Sequence, residues 1–481
     1  MLEILVPVLL AAAVFTAAMG SSSVTSILRL GLSLRWVALA LLALAALPYG
    51  LPELRRVPRS FAVALGSLAA LALLSTIWSV RPRSTFERGG TFVVLSAIVI
   101  LIAAGAASSR RRVELIGMGL LAAPVAVALA GIVVYFADYH LAIQAAGIGM
   151  PERLRGFGQD PNTGALLFSV ALPIAVAGML GPVSRRRRAF ATGVAILLYG
   201  STLASGSRGG IVASIAGVAV LVAVRVRPRR LLFVAEALVG AAALLSLVTA
   251  GARPATGPDP NALAGAPPPI TAPATTTTPS TTTPASTGSA GSAAPAPTDV
   301  AWWQVALEPT LPRSSIPTPF LMPRDEIGYP GLYAYKRLLS YGSGRVYAWV
   351  YAIQEGLHRP ALGYGFGTEP IVFQDVFFYY QSAFTENSFV GIFLQLGLVG
   401  LVLLLLPFAL CLGWAARALR RHRDVDRNGA VALGMTVAAL LAGLFQSYLY
   451  SVGNVVTLTS WSAVALTAVL VSAGLRSPGA A

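Results

Sequence analysis

Two arginines that lie among glycines are the residues of this sequence best suited to chemistry. Arg208 lies in the segment 203–210, which contains three glycines, and Arg345 is followed four residues later by Trp349. A guanidinium group keeps its charge and can bind a phosphate group through two parallel hydrogen bonds. Glycine lets the backbone come close to a ligand, and a spacing of four places Arg345 and Trp349 on one face of a helix. These segments predict a site for a phosphate-bearing ligand.

Glu386 is the candidate general base. It lies in the segment Thr385–Phe389, directly before a long apolar stretch. Partial burial there would raise the pKa of the carboxyl group towards the range useful for taking a proton. The alternative is a carboxylate that only interacts favourably with the N-terminus of the following helix.

The composition shows what must position these residues. The 481-residue chain is 56% hydrophobic and 11% charged, with a mean hydropathy of +0.73, whereas soluble domains are about one-quarter charged. A water-soluble globular enzyme is therefore excluded. Apolar segments recur, and each can cross a bilayer because a spanning helix needs about 20 residues. They cover residues 3–19, 36–51, 61–78, 91–107, 114–136, 162–181, 189–205, 210–224, 231–250, 388–413, 430–450 and 456–474. The pattern predicts an all-α polytopic membrane protein with about 12 transmembrane helices.

Clusters of arginine predict the orientation. The net charge is +16, from 35 basic and 19 acidic residues. Basic clusters at 55–59, 110–112, 185–188, 225–230 and 417–427 all fall on one side of the twelve-span arrangement. Short cytoplasmic loops collect basic residues, so we expect the cytoplasmic (inner) membrane, with both termini cytoplasmic. The bilayer and phosphate-bearing ligands account for the basicity, and nucleic acid is not an expected partner.

Several arginines then lie on the outer side, where a charge at the membrane edge is costly. They include Arg81, Arg83, Arg88, Arg153, Arg155 and Arg208. The alternative to ligand binding is an arginine whose side chain reaches the lipid headgroups.

The break in hydrophobicity after residue 250 predicts the domain organisation. Residues 1–250 would form a membrane domain with spans one to nine, and 388–481 would form spans ten to twelve. Residues 251–300 are rich in Pro and Thr and predict a disordered extracytoplasmic linker, with O-glycosylation as an alternative. Residues 301–387 regain aromatic and charged residues and predict an extracytoplasmic loop subdomain.

No metal or cofactor is expected from the residue types. Cys411 is the only cysteine, and the three histidines are widely separated. A disulfide within the chain is excluded, and a cysteine or histidine metal cluster is not expected. In a site without a metal ion, arginines would stabilise negative charge on the ligand.

Five ordered motifs resemble those of the O-antigen ligase/polymerase (Wzy-C) superfamily. They are Leu74–Ser79, Gly158–Gly164, Gly206–Gly209, Gly344–Trp349 with Pro360–Gly367, and Glu386–Asn387 with Gly397–Gly400. The resemblance extends from about residue 74 to residue 450.

The resemblance implies a GT-C-like membrane glycosyltransferase with one large extracytoplasmic loop. Such an enzyme transfers a glycan from undecaprenyl pyrophosphate to an acceptor hydroxyl, without a metal ion. Arg208 and Arg345 match the arginines that bind the donor pyrophosphate. In the ligases a histidine precedes the asparagine of the last motif, whereas this chain has Glu386, so ligase and polymerase both stay open.

The expected partners are a polyprenyl-pyrophosphate-linked glycan donor, a glycan or glycolipid acceptor, and the lipid bilayer. Further expected substrate contacts are Arg81, Arg88, Arg155, Asn162, Trp349 and Asn387. His358 is an alternative base. The competing functions are a transporter of a small anion or glycolipid, and a structural component of a polysaccharide export complex.

Overall fold

The computed structural model describes residues 2–22, 24–144, 152–225, 345–376, 382–420 and 425–476. Nearly all of these residues are helical. The helices are α1 (Leu2–Met19), α2 (Thr25–Gly50), α3 (Arg59–Leu74), α4 (Pro82–Ala106), α5 (Arg110–Ala137), α6 (Tyr139–Ala142), α7 (Pro161–Leu180), α8 (Arg185–Ala204), α9 (Arg208–Arg225), α10 (Arg345–Gly356), α11 (Glu369–Val376), α12 (Ser388–Arg420), α13 (Arg427–Ala442) and α14 (Val455–Arg476). Short 3-10 helices, Leu51–Arg56 and Ser75–Ile77, follow α2 and α3.

Eight described helices are long and apolar enough to cross a membrane, and they confirm the predicted α-helical membrane protein. They are α1, α2, α3, α4, α5, α7, α12 and α14; α9 and α13 are apolar but shorter. Each predicted apolar segment overlaps a described helix, except 231–250, which lies outside the described residues. The total of twelve spans therefore stays a prediction. The predicted linker 251–300 and most of the predicted loop 301–387 also lie outside the described residues.

Two of the spanning helices lie at the centre of the bundle. Helices α7 and α14 are the most buried of the eight. Helix α7 packs against α8, α9 and α13, while α14 packs against α4, α12 and α13. Helices α1, α2 and α5 pack together beside them. Polar side chains at Ser109, Asp160, Ser184 and Asp426 accept hydrogen bonds from the first turns of α5, α7, α8 and α13. These caps satisfy backbone groups that the helix itself leaves unpaired.

A short antiparallel hairpin interrupts the helical pattern, and the sequence analysis did not predict it. Strand β1 (Ile143–Gln144) pairs with β2 (Arg153–Leu154). Arg153 is buried with 4% of its surface exposed. Its guanidinium Nε donates to the carbonyl of Ser205 at 2.7 Å, so β2 holds the turn between α8 and α9.

Helix α12 is broken at Gly397, where the turn 360–367 packs against it. Gly397 has φ 63°, and a Cβ there would lie 2.3 Å from the carbonyl carbon of Ala361. The position therefore requires glycine for both its backbone conformation and its space. Beyond the break, the N–H of Leu398 donates to the carbonyl of Pro360 at 2.8 Å.

The motif at 74–79 contacts the same turn. The indole N–H of Trp78 donates to the Leu362 carbonyl at 3.0 Å. The Ser75 hydroxyl accepts from the N–H of Phe366 at 2.9 Å. Segments separated by almost 300 residues, 74–79 and 360–367, are thus joined by direct hydrogen bonds.

Candidate functional site

Arg345 and Glu386 form an ion pair at the centre of the candidate site. The Arg345 Nη2 atom lies 3.4 Å from Glu386 Oε2, and the two side chains are 19% and 16% exposed. The Ser382 hydroxyl donates to Glu386 Oε1 at 2.8 Å. The pair is therefore shielded from bulk water while remaining accessible to a ligand.

The backbone at Glu386 has an unusual conformation that the flanking residues hold in place. Glu386 has φ 56° and is the only non-glycine residue with positive φ in the described ranges. Asn387 donates its N–H to Ser447 at 3.1 Å, and its side-chain oxygen accepts from the N–H of Phe389 at 2.9 Å, which caps α12. Left-handed backbone at a glutamate is uncommon and persists only where its surroundings fix it.

Trp349 adds a contact to the same segment. Its indole N–H donates to the carbonyl of Thr385 at 2.9 Å. Because Arg345 and Trp349 both contact the segment 385–386, the four-residue spacing does place them on one face of α10. Helix α10 and the residues before α12 are thereby connected at two points.

Glu369 lies beneath this segment as a buried carboxyl group that the sequence analysis missed. It is 1% exposed. Oε1 accepts from the N–H and hydroxyl of Thr385 and from the Ser447 hydroxyl, each at 2.9 Å. Oε2 accepts from the Tyr450 hydroxyl at 2.5 Å and from Gln395 Nε2 at 3.4 Å. Burial raises the pKa of Glu369, although these hydrogen bonds act in the opposite direction.

The pKa of Glu386 is raised above its ordinary value. Burial is the largest cause, and the charges of Asp160 and Glu369 add to it. The neighbouring Arg345 charge and the hydrogen bond from Ser382 act to lower this pKa. A carboxylate with a raised pKa is a better proton acceptor, so the environment suits a general base.

Arg208 lies at the start of α9, two residues before the predicted apolar segment 210–224 begins. The charges of Arg208 and Arg345 repel one another. The turn before α9 contains Gly206 with φ 61°, a conformation that glycine adopts easily. Arg153 holds the start of this turn through Ser205.

Asn162 and Arg155, both expected to contact substrate, lie on the α7 side of the site. The Asn162 side-chain oxygen accepts a 2.6 Å hydrogen bond from Arg153 Nη2. Arg155 has a buried Nε atom without a hydrogen-bond partner. This residue lines a cavity together with Gln159 and Asp160, between α5, α7 and α8. An unpaired guanidinium nitrogen in a cavity is available to an anionic or hydroxyl-bearing ligand.

The remaining predicted residues are exposed or make contacts other than with the ion pair. Arg88 donates to the carbonyl of Gly367, and Arg81 is exposed at the residue before α4. No hydrogen bond or ion pair in the described part of the chain joins Arg81, Arg88 or Arg155 to Arg345 or Glu386. His358, the alternative base, is exposed and its Nδ1 atom lies 3.3 Å from Glu355.

The ranges covered by the structure contain no group of three or more His, Cys, Asp or Glu side chains that could hold a metal ion. The charges of the candidate site come from the cations Arg208 and Arg345 and the acids Asp160, Glu369 and Glu386. Such a site can bind an anion and accept a proton nearby.

The fold defines a multi-pass α-helical membrane protein, and the site combines guanidinium groups with shielded carboxyl groups. Comparison of the sequence with protein-family models gave no match, and neither did comparison with curated proteins.

Proposed function

We propose that this protein is a glycan transferase of the O-antigen ligase/polymerase type. It moves an undecaprenyl-pyrophosphate-linked glycan to an acceptor hydroxyl in the synthesis of cell-surface polysaccharide. The observation that carries the proposal is the Arg345–Glu386 pair with the charge of Arg208 beside it. Arg345 lies next to a carboxyl group whose pKa is raised, and Arg208 adds a second positive charge that interacts with that of Arg345.

The two arginines bind the leaving group. When the glycosyl–oxygen bond breaks, its electron pair passes to the pyrophosphate oxygen and negative charge grows there. Guanidinium groups fixed in a site with little water stabilise that charge strongly. Arg208 and Arg345 repel one another in the absence of an anion, and a bound pyrophosphate removes that repulsion.

Glu386 takes the proton. The acceptor hydroxyl oxygen forms the new bond to the anomeric carbon, and its proton passes to a Glu386 carboxylate oxygen. Ser382 and Arg345 hold the two carboxylate oxygens from different sides. Arg345 binds the donor pyrophosphate and Glu386 takes the acceptor proton. Because the two side chains are paired, the donor and the acceptor are held next to one another.

The positions of the motif residues support the resemblance on which the substrate class depends. The segments 74–79, 360–367 and 397–400 contact one another around the break in α12. Segments that resemble a family's motifs and meet at one place in the fold are expected to serve one site.

The membrane orientation is part of the same proposal. The protein lies in the inner membrane with cytoplasmic termini, and the end of the bundle that holds Glu386 faces outward. The undecaprenyl-linked donor is then reached from the outer leaflet. The arginine-rich first turns of α5 and α8 face the cytoplasm, as the positive-inside rule requires.

Glycan transfer in proteoliposomes tests the proposal against a carrier. The protein receives an undecaprenyl-pyrophosphate-linked oligosaccharide and a glycan acceptor, and the product length separates polymerase from ligase. Wild type is expected to form product, while Arg208→Ala and Glu386→Gln lose it. Flux of a small anion with no glycan product across a panel of donors would contradict the enzyme and favour a transporter.

A further inference from the structure

A second arginine site lies away from the ion pair, in a cavity between α1, α2, α4 and the start of α14. Arg35 lies within α2, one of the helices that can span the membrane. The cavity is lined by Ala13 and Ala17 of α1, Leu39 of α2, Leu95 of α4, Asn454 directly before α14, and Leu458 of α14. A charged side chain at this position is costly and requires an explanation.

Arg35 forms no ion pair within the described ranges of the chain. Its Nε atom is buried without a hydrogen-bond partner. The guanidinium carbon lies 5.0 Å from the centroid of the Trp36 ring.

The surroundings of the cavity are those of a lipid boundary. On α2, the side chains of Leu32, Trp36 and Leu41 are exposed. Tryptophan is enriched where a membrane protein meets the headgroup region. The cavity also lies at the end of the bundle that holds the candidate site, since Asn454 follows Tyr450 by four residues.

We propose that the cavity around Arg35 binds the phosphate group of a lipid whose hydrocarbon chain lies along the exposed face of α2. The phosphate supplies a counter-charge to Arg35 and accepts hydrogen bonds from the guanidinium group. Asn454 adds a polar contact at the same level. Two lipids carry this chemistry, a membrane phospholipid and a polyprenyl phosphate. The site does not depend on glycan transfer.

Native mass spectrometry of the full-length protein in detergent tests the proposal. The probes are polyprenyl monophosphate, phosphatidylglycerol, polyprenol without phosphate, and inorganic phosphate. Wild type is expected to bind at least one phosphate-bearing lipid and to discriminate against polyprenol and inorganic phosphate. Comparison of phosphatidylglycerol with polyprenyl monophosphate shows which of the two lipids supplies the bound phosphate group.

Variants locate the binding at Arg35. Arg35→Gln is expected to weaken lipid-phosphate binding by about tenfold or more, because hydrogen bonds to charged groups contribute strongly. Arg29→Gln is the matched control, since Arg29 is an exposed arginine of the same helix, and its effect should stay within about twofold. The Arg35 effect should persist in Arg345→Gln protein, which separates this site from the proposed donor site.

Three results would overturn the proposal. They are binding of neither phosphate lipid more tightly than polyprenol by wild type, an equal loss in Arg29→Gln, and competition by inorganic phosphate at the concentration of the lipid. If Arg35→Gln does not fold, Arg35→Lys, which keeps the positive charge, is measured in its place. Its weaker binding of the phosphate lipid is expected because an ammonium group lacks the paired donors of a guanidinium group.

Discussion

The N–H and the hydroxyl of Thr385 both donate to the same carboxylate oxygen of Glu369, each at 2.9 Å. Thr385 directly precedes Glu386, so this double hydrogen bond fixes the backbone that carries the candidate base. Glu369 lies at the start of α11 and is itself shielded from water. The buried carboxyl group of Glu369 therefore positions Glu386, which is expected to contact the substrate.

Replacing Glu369 by glutamine should lower both thermal stability and activity. The amide has only one oxygen, so part of the donor set around it loses its acceptor, at a cost of about 1–3 kcal/mol. Thermal unfolding in detergent measures the stability. Glu87→Gln is the control, because Glu87 is exposed and pairs with Arg83 on the surface of α4. Equal unfolding temperatures for the two variants would show that Glu369 does not hold the segment.

The pH dependence of glycan transfer should report on Glu386. The base acts when deprotonated, so the rate rises with pH through its raised pKa. The positive charge of Arg345 lowers that pKa. Arg345→Gln should therefore move the acid limb of the residual activity to higher pH. An acid limb that stays in place in Arg345→Gln protein would contradict the pairing.

Gly397→Ala should destabilise the protein strongly. The positive φ and the backbone of Ala361, 2.3 Å from a Cβ, leave no room for a side chain, and such sites respond to substitution more than ordinary glycines do. Gly413→Ala in the same helix is the control, since a Cβ there would meet nothing within 4 Å. Thermal unfolding of the two variants checks the prediction. If Gly397→Ala unfolds at the temperature of Gly413→Ala, the proposed close packing of the turn on α12 is wrong.

Arg153→Gln should lower stability because Arg153 is buried and joins two segments. Its hydrogen bonds to Ser205 and Asn162 would be lost or lengthened, at about 1.5–3 kcal/mol for bonds to a charged group. Asn162→Ala should produce a smaller decrease in the unfolding temperature through the same contact. Arg155→Gln, a neighbouring arginine whose Nε has no partner, is the control. A normal unfolding temperature for Arg153→Gln would show that the hairpin does not stabilise this turn.

The spanning helices could be predicted because each is encoded by a continuous apolar segment. The common face of Arg345 and Trp349 could also be predicted, since it depends only on the helical repeat. Glu369 could not, because residues from α11, from the segment before α12 and from the segment before α14 shield it together. Its one local signal was a carboxyl group directly after the glycine-rich turn 360–367.

The hydrogen bond of Asn162 is a second contact that could not be predicted from the sequence. The sequence motif around Asn162 suggested a substrate contact, which stays a prediction, and the structure adds that the side-chain oxygen accepts from Arg153. That partner lies in a two-residue strand, which carries too little periodicity to be recognised. Contacts that depend on tertiary packing cannot be predicted from the local sequence pattern.

Glycan transfer by Arg345→Gln is the most direct test of the central claim. The rate is measured in proteoliposomes with saturating undecaprenyl-pyrophosphate-linked donor, beside wild type and Arg83→Gln, whose arginine side chain is 94% exposed on α4. The account predicts a loss of about 10²-fold or more for Arg345→Gln, as for removal of one fixed donor to a developing anion, and little change for Arg83→Gln. Transfer by Arg345→Gln at the rate of Arg83→Gln would contradict the account.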